Sequence, residues 1–288
     1  MGHDLHPPIT AVRAAVARAL EEDLTPLGDL TSALLPGELT ATAHVVGRHA
    51  GVLAGRSCVT EVFAQIDPTI LVEWRTDDGE AVAAGQVLGT VSGPLHALLT
   101  GERSALNFLG HLSGIATLTR QYVEAAGGAV RVWDTRKTTP GLRSLEKAAV
   151  RAGGGSNHRG NLSDWILLKD NHIALFGLTD AVKRAHERWP ARTVHVECDH
   201  IDQVREAVAA GADALLLDNM APDTVRACVA AVTEHLPAGS RRPLLEVSGG
   251  ITLETIGLYA DTGVDLISVG AITNSAPVLD IGLDIGVH

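Results

Sequence analysis

The chain has 288 residues, room for one large domain or two moderate ones, and with 45% hydrophobic and 20% charged residues it can bury a core, which excludes a disordered polypeptide. A net charge of −11 and 3% aromatic residues exclude a general nucleic-acid or anionic-membrane binder, which needs a cationic face or base-stacking platforms. Cys58, Cys198 and Cys228 are odd in number and contain no Cys-x-x-Cys pair, which excludes a disulfide framework and a zinc ribbon and points to a reducing, cytoplasmic setting. The amino terminus carries no basic and apolar leader and no apolar run reaches the ~18 residues of a membrane span, so an unexported, membrane-free protein is expected.

In chain order, Val12, Ala15, Val16, Ala19 and Leu20 recur at helical spacing, predicting a helix over 10–23 with Thr10 as its N-cap. Between 40 and 92 the period shortens and Gly/Asp turns recur, predicting short antiparallel strands. Residues 100–126 return to helical period, as one helix or a broken pair, with Thr100 placed to cap it and Leu106, Leu109, Leu112 and Ile115 on its apolar side. From 130 onward, six apolar runs (VRVWD, WILLKD, VHVECD, ALLLDN, PLLEVSGG, LISVGA) alternate with amphipathic helical segments. Continuous apolar strands separated by helices predict a parallel sheet covered by helices, as a barrel or an open doubly wound sheet. Asp134, Lys169, Glu197, Asp218, Ser248 and Gly270 fall at or near the carboxyl ends of their runs, the edge on which barrel enzymes build their sites.

Residues 131–172 hold eight Lys and Arg against four Asp and Glu, a cationic island in an acidic protein. Such an island suits a small polyanion, Arg gripping carboxylates and Lys supplying a point charge. Arg143, Lys147 and Arg151 recur every fourth residue and read as a solvated helix face, whereas Arg136 and Lys137 directly follow a strand and at least one must point into the mouth. GGGSNHR (153–159) lacks the Walker pattern, and its glycines show only a tight turn. His195, Glu197 and Asp199 share one strand face. Of these, Glu197 is retained with Asp218 as the acidic pair, with oxygen donors suited to Mg²⁺ carried by a diphosphate, while His195 reads as core and Asp199 as a turn or cap. SGG (248–250) and VGA (269–271) end the last two strands, where backbone N–H groups commonly cradle a phosphate.

ERSALN (102–107), GHLSGIAT (110–117), DTRKTTPGLRSLEK (134–147), GGGSNHR, LLKDNH (167–172), VHVE (194–197), LLLDN (215–219), EVSGG (246–250), SVGAIT (268–273) and LDIGLDI (279–285) together resemble the quinolinate phosphoribosyltransferases, in collinear order over most of the chain. The resemblance implies an α/β protein, an N-terminal α/β open-faced sandwich (1–115, rejoined by 275–288) and a C-terminal incomplete, seven-stranded-type α/β barrel (116–274) carrying the site. It implies transfer of phosphoribose from phosphoribosyl pyrophosphate to quinolinate with decarboxylation, giving nicotinate mononucleotide, pyrophosphate and CO₂, with Mg²⁺ and no organic cofactor. Arg136, Lys137, His158, Arg159 and Lys169 become the quinolinate pocket, with Arg103 entering from a partner subunit of a homodimer or of a higher oligomer built on it. Glu197 and Asp218 take the ribose and Mg²⁺ side, and Ser248, Gly249, Gly250, Gly270 and Ala271 cradle the 5-phosphate. Lys137, Lys169, Glu197 and Asp218 are the expected catalytic set. Ala148 and Asn274 depart from the family pattern, where an aromatic residue and a histidine are common.

Three rivals remain at this point. A sugar-phosphate aldolase or isomerase would use Lys169 as a Schiff base, but leaves Arg103, Arg136 and Arg159 without a task. A biotinyl- or lipoyl-type carrier, suggested by EAVAAGQVLGTVSG (80–93), lacks a lysine anywhere in 76–99. A paralogue of the same fold would act on another aromatic acid.

Overall fold

The computed structural model describes residues 5–287. In chain order the elements are α1 (Ile9–Leu24), a 3-10 turn (Ser32–Leu34), β1 (Thr40–Gly47), β2 (Gly51–Val52), α2 (Arg56–Ile66), β3 (Leu71–Trp74), β4 (Ala81–Val82), β5 (Val87–Pro94), α3 (Leu95–Ala125), β6 (Arg131–Trp133) and α4 (Arg143–Ala152). There follow β7 (Ile166–Leu168), α5 (Asp170–Phe176), α6 (Leu178–Arg188), β8 (Val194–Cys198), α7 (Ile201–Ala209), β9 (Ala214–Asp218), α8 (Pro222–His235), β10 (Leu244–Ser248), α9 (Ile256–Ala260), β11 (Leu266–Ser268), α10 (Ala271–Asn274) and β12 (Ile281–Val287). They form two compact units, the first comprising residues 1–120, 137–155 and 271–288 and the second 121–136 and 156–270.

The first unit is built on an antiparallel sheet of order β12-β1-β5-β3, so the last strand of the chain pairs with the first long one. Ala41, Ala43 and Val45 alternate inward along β1, the period-two pattern of a sheet with one covered face. Helix α1 buries Val12, Ala15, Val16 and Leu20. Its entry is Pro8, whose carbonyl accepts from Ala11 and Val12, so Thr10 lies inside the first turn and is not the cap. Helix α2 replaces part of the expected strand region. It enters through Gly55 at φ +104, a left-handed conformation that favours glycine, and buries Cys58, Val59, Val62 and Phe63.

Helix α3 is one unbroken helix of 31 residues and begins at Leu95, so Thr100 is not a cap; its one hydroxyl proton instead has the His96 carbonyl, at 2.9 Å, and Asp29 Oδ2, at 3.0 Å, as alternative acceptors. Gly153, past the end of α4, is held against α3 so closely that a Cβ would lie 2.5 Å from the Ala116 carbonyl oxygen. The solvated face expected for Arg143, Lys147 and Arg151 is not found. Lys147 is only 6% exposed and the two arginines are half-buried, on a helix that packs with α1 and α10 of its unit.

The second unit is a parallel sheet of order β6-β11-β10-β9-β8-β7. The last strand of this series pairs with the first, the circular order of a barrel, with the ladder open between β6 and β7. A single parallel bridge from Trp133 to Ser156 adds a seventh position, through Ser156 N–H to the Val132 carbonyl at 2.9 Å and Asp134 N–H to the Ser156 carbonyl at 3.1 Å. The indole of Trp133 at one edge lies 6.2 Å from that of Trp165, just before β7 at the other edge, so side chains span the open seam. In β9, Leu215 and Leu217 are fully buried and Leu216 is 6% exposed, both faces covered as the continuous apolar run requires.

Candidate active site

Strand register places the inward residues. Leu168 pairs with Val196, which brings Lys169 beside Glu197 one residue further on, and Lys169 Nζ forms an ion pair with Glu197 Oε2. Asp218 pairs with Ser248, and Ser248 with Ser268, so the acidic and hydroxyl side chains form one row across β9, β10 and β11. Asp218 and Ser248 are half-buried, as befits residues at a rim.

The segment after Ser156 is pinned by Asp134. Its fully buried carboxylate accepts from the His158 backbone N–H at 2.8 Å and from Asn157 Nδ2 at 2.7 Å. Asp134 therefore anchors His158 and Arg159. His158 packs against Trp165 and Trp133, with ring centroids at 4.9 and 6.0 Å, and stacks on His195 at 5.9 Å. Beneath them lies Glu246, 1% exposed, whose Oε2 is 3.3 Å from His158 Nε2 and 3.4 Å from His195 Nε2. Burial alone would raise the Glu246 pKa, yet the His158 contact and the charges of His195 and His158 hold it below the usual carboxylate value. Burial pushes the His195 pKa down, against the pull of Glu246.

Arg159, 8% exposed, is the buried cation of this group. Its guanidinium is destabilised first by burial and then by the like charge of Arg136, while Glu246, Asp164 and Glu197 oppose the shift. Two guanidiniums close enough to repel, at the end of a barrel strand, are arranged for an anion between or beside them.

The second unit thus brings together Arg136, His158, Arg159, Lys169, Glu197, Asp218, Ser248, Gly249 and Gly250, with Gly270 two residues past β11. Arg103, exposed on α3, and Lys137 and Ala271 belong to the first unit. Trp133, Trp165 and Glu246 were missed as site elements by the sequence reading. Glu246 had a visible signal, a charge in the middle of an apolar parallel strand. Asp199 is exposed, and its N–H is taken by Gln203 Oε1 at 2.7 Å, a turn role. Cys198 is buried and its thiol pKa is raised by burial and by neighbouring acidic groups, so it offers no nucleophile.

A parallel β/α barrel with paired guanidiniums, a lysine and two carboxylates on its carboxyl-end rim is a barrel enzyme built for a multiply anionic small substrate. The N-terminal domain of quinolinate phosphoribosyl transferase matches residues 29–113 and its C-terminal domain residues 115–284. The chain is 44% identical over 261 residues to the probable nicotinate-nucleotide pyrophosphorylase (carboxylating) of Bacillus subtilis (strain 168), covering 90% of this chain and 88% of that protein. It is 41% identical to the nicotinate-nucleotide pyrophosphorylase (carboxylating) of Mycobacterium leprae (strain TN), over 96% of this chain and 97% of that one. The solved nicotinate-nucleotide pyrophosphorylase of Francisella tularensis superposes with a TM-score of 0.92 at 35% identity, over 99% of this chain and 100% of the other. The chain belongs to the quinolinate phosphoribosyltransferase family.

Proposed function

We infer that the protein transfers the phosphoribosyl group of phosphoribosyl pyrophosphate to the ring nitrogen of quinolinate, releasing pyrophosphate, and that the product loses its 2-carboxylate as CO₂ to give nicotinate mononucleotide. The observation that carries this reading is the buried Arg159 beside Arg136, a cation pair suited to a dicarboxylate, set in a chain that aligns end to end with nicotinate-nucleotide pyrophosphorylases. Arg136, His158, Arg159 and Lys169 hold the two carboxylates, with Lys137 entering from the loop after β6. As the dianion binds, Lys169 exchanges Glu197 for a substrate carboxylate. Its charge then sits beside the acid while Glu197 turns to the ribose. Departure of pyrophosphate leaves positive character on the ribosyl carbon, which Glu197 and Asp218 stabilise, and the quinolinate nitrogen attacks. The adjacent pyridinium nitrogen stabilises the electron pair left on ring carbon 2 as CO₂ departs, and a proton taken up from solvent at that carbon completes the product, so the protein's task is to position and neutralise, with no covalent nucleophile.

Glu197 and Asp218 supply carboxylate oxygens at adjacent strand ends, a hard donor set that fits Mg²⁺ arriving with the diphosphate. When bound, the ion would neutralise the leaving pyrophosphate. Ser248, Gly249, Gly250, Gly270 and Ala271 receive the 5-phosphate. The assembly is a homodimer in which Arg103 of one subunit completes the site of the other. No helix among the described residues is long and apolar enough to cross a membrane. All three cysteines are free and buried, consistent with a reducing cytoplasmic setting.

The test is a panel of pyridine and benzene carboxylates offered with phosphoribosyl pyrophosphate, followed by mononucleotide and CO₂ release. Quinolinate is expected to exceed every other acid in kcat/KM; preference for a different aromatic acid would overturn the substrate assignment.

A further inference from the structure

Among the described residues, Asn219 is the one non-glycine residue with positive φ, at 53°. Asparagine tolerates this left-handed conformation better than most residues, but it still costs free energy and persists where the surroundings demand it. The surroundings here are specific. The Asn219 backbone N–H donates to the Ser248 carbonyl at 2.9 Å, and its side-chain Nδ2 donates to Asp218 Oδ2 at 2.7 Å. The Asn219 side chain also lies over the bare Cα of Gly249. A Cβ on Gly249 would come within 2.2 Å of Asn219 Oδ1 and 2.6 Å of its Cγ, and Gly249 is itself left-handed at φ +99. One residue therefore touches both the strand-end carboxylate of β9 and the glycine turn that follows β10.

We infer that Asn219 is a positioning residue that ties the Asp218 carboxylate to the Ser248–Gly250 turn, holding the ribose-side acid and the phosphate cradle at one fixed spacing for phosphoribosyl pyrophosphate. The left-handed backbone serves this purpose. In a helical or extended conformation the amide could not lie over Gly249 while its N–H faces Ser248. The fixed spacing matters because phosphoribosyl pyrophosphate is held at both ends of its ribose, and a misplaced carboxylate or phosphate cradle weakens both contacts together. Asn219 has no part in holding the aromatic acid. The inference rests on the assignment of Asp218 and the glycine turn to phosphoribosyl pyrophosphate.

The experiment compares Asn219→Gly, Asn219→Asp and Asp218→Asn by steady-state kinetics in both substrates, with thermal unfolding as a check on the fold. Asn219→Gly keeps the left-handed backbone and removes only the amide. Loss of one hydrogen bond to a charged group corresponds to about a tenfold rise in the KM for phosphoribosyl pyrophosphate, with the KM for quinolinate unchanged. Asn219→Asp also accepts the backbone conformation but sets a like charge against Asp218, and is expected to raise the same KM further; it stands in if the glycine variant folds poorly. Wild-type KM for phosphoribosyl pyrophosphate in both Asn219 variants, or equal rises in the two KM values, while Asp218→Asn is impaired in that substrate, would overturn the positioning role. If Asp218→Asn itself binds phosphoribosyl pyrophosphate normally, the assignment of Asp218 fails, a result distinct from failure of the Asn219 role.

Discussion

Replacing Glu246 with Gln removes the buried carboxylate that faces both His158 and His195 while nearly preserving its volume. The structure sets the size of the effect. Glu246 is 1% exposed, lies 3.3 Å from His158 and 3.4 Å from His195, and offsets the burial of Arg159. Removing one partner from a buried charged group leaves the others uncompensated and costs about 3–5 kcal/mol. With a urea slope of about 3 kcal/mol per molar, the unfolding midpoint at pH 7 should fall by about 1–1.7 M. The pH dependence carries a definite sign. The Glu246 pKa is depressed in the folded protein, so its contribution is full above the unfolded carboxylate value, near 4.5, and is lost as pH falls through the lower folded value. The stability gap between wild type and Glu246→Gln should therefore be widest at neutral pH and close in acid. Equal midpoints at pH 7, or a gap that persists unchanged to the acid limit, would refute this account of the Glu246 cluster.

Arg159→Ala should lower kcat/KM for quinolinate about 10- to 150-fold, the loss of one charge-assisted partner of about 1.5–3 kcal/mol, measured at saturating phosphoribosyl pyrophosphate. Excess EDTA should abolish turnover and added Mg²⁺ restore it; full activity in EDTA would refute the metal assignment. Arg103→Ala and Lys169→Ala proteins should each be nearly inactive alone and regain activity when mixed, provided native mass spectrometry shows subunit exchange; exchange without recovery would place Arg103 elsewhere. Gly153→Ala should destabilise the protein by about 1–3 kcal/mol in urea titration, because its Cβ would press on the Ala116 carbonyl of α3.

The barrel half was legible because each parallel strand is a short apolar run and each helix an amphipathic one, so VHVEC, ALLLD and LLEVS stand out without any knowledge of contacts. The same rule makes His195 and Glu246 conspicuous afterwards: a charge or imidazole inside a run covered on both faces must be buried and must have company. Their meeting was not legible, since β8 and β10 are separated by β9 and only barrel curvature brings the two side chains to 3.4 Å. Helix α2 was hidden for a different reason. Cys58, Val59, Val62 and Phe63 have helical spacing, but eleven residues inside a stretch of Gly-punctuated strands give a weak periodic signal. The burial of Lys147 was invisible because four-residue spacing describes a shared face and says nothing of what that face meets.

Strand β1 takes β12 as a neighbour, and β12 lies more than two hundred residues later in the chain. During synthesis, the edge of β1 stays uncovered until the chain has been made through β12 (Ile281–Val287). Until then β1 presents unpaired N–H and carbonyl groups along one side, a template that a second nascent copy could occupy. A premature stop before residue 281 would thus do more than shorten the chain: it would leave an adhesive border on a sheet otherwise able to form, turning a loss of a few residues into a tendency to aggregate.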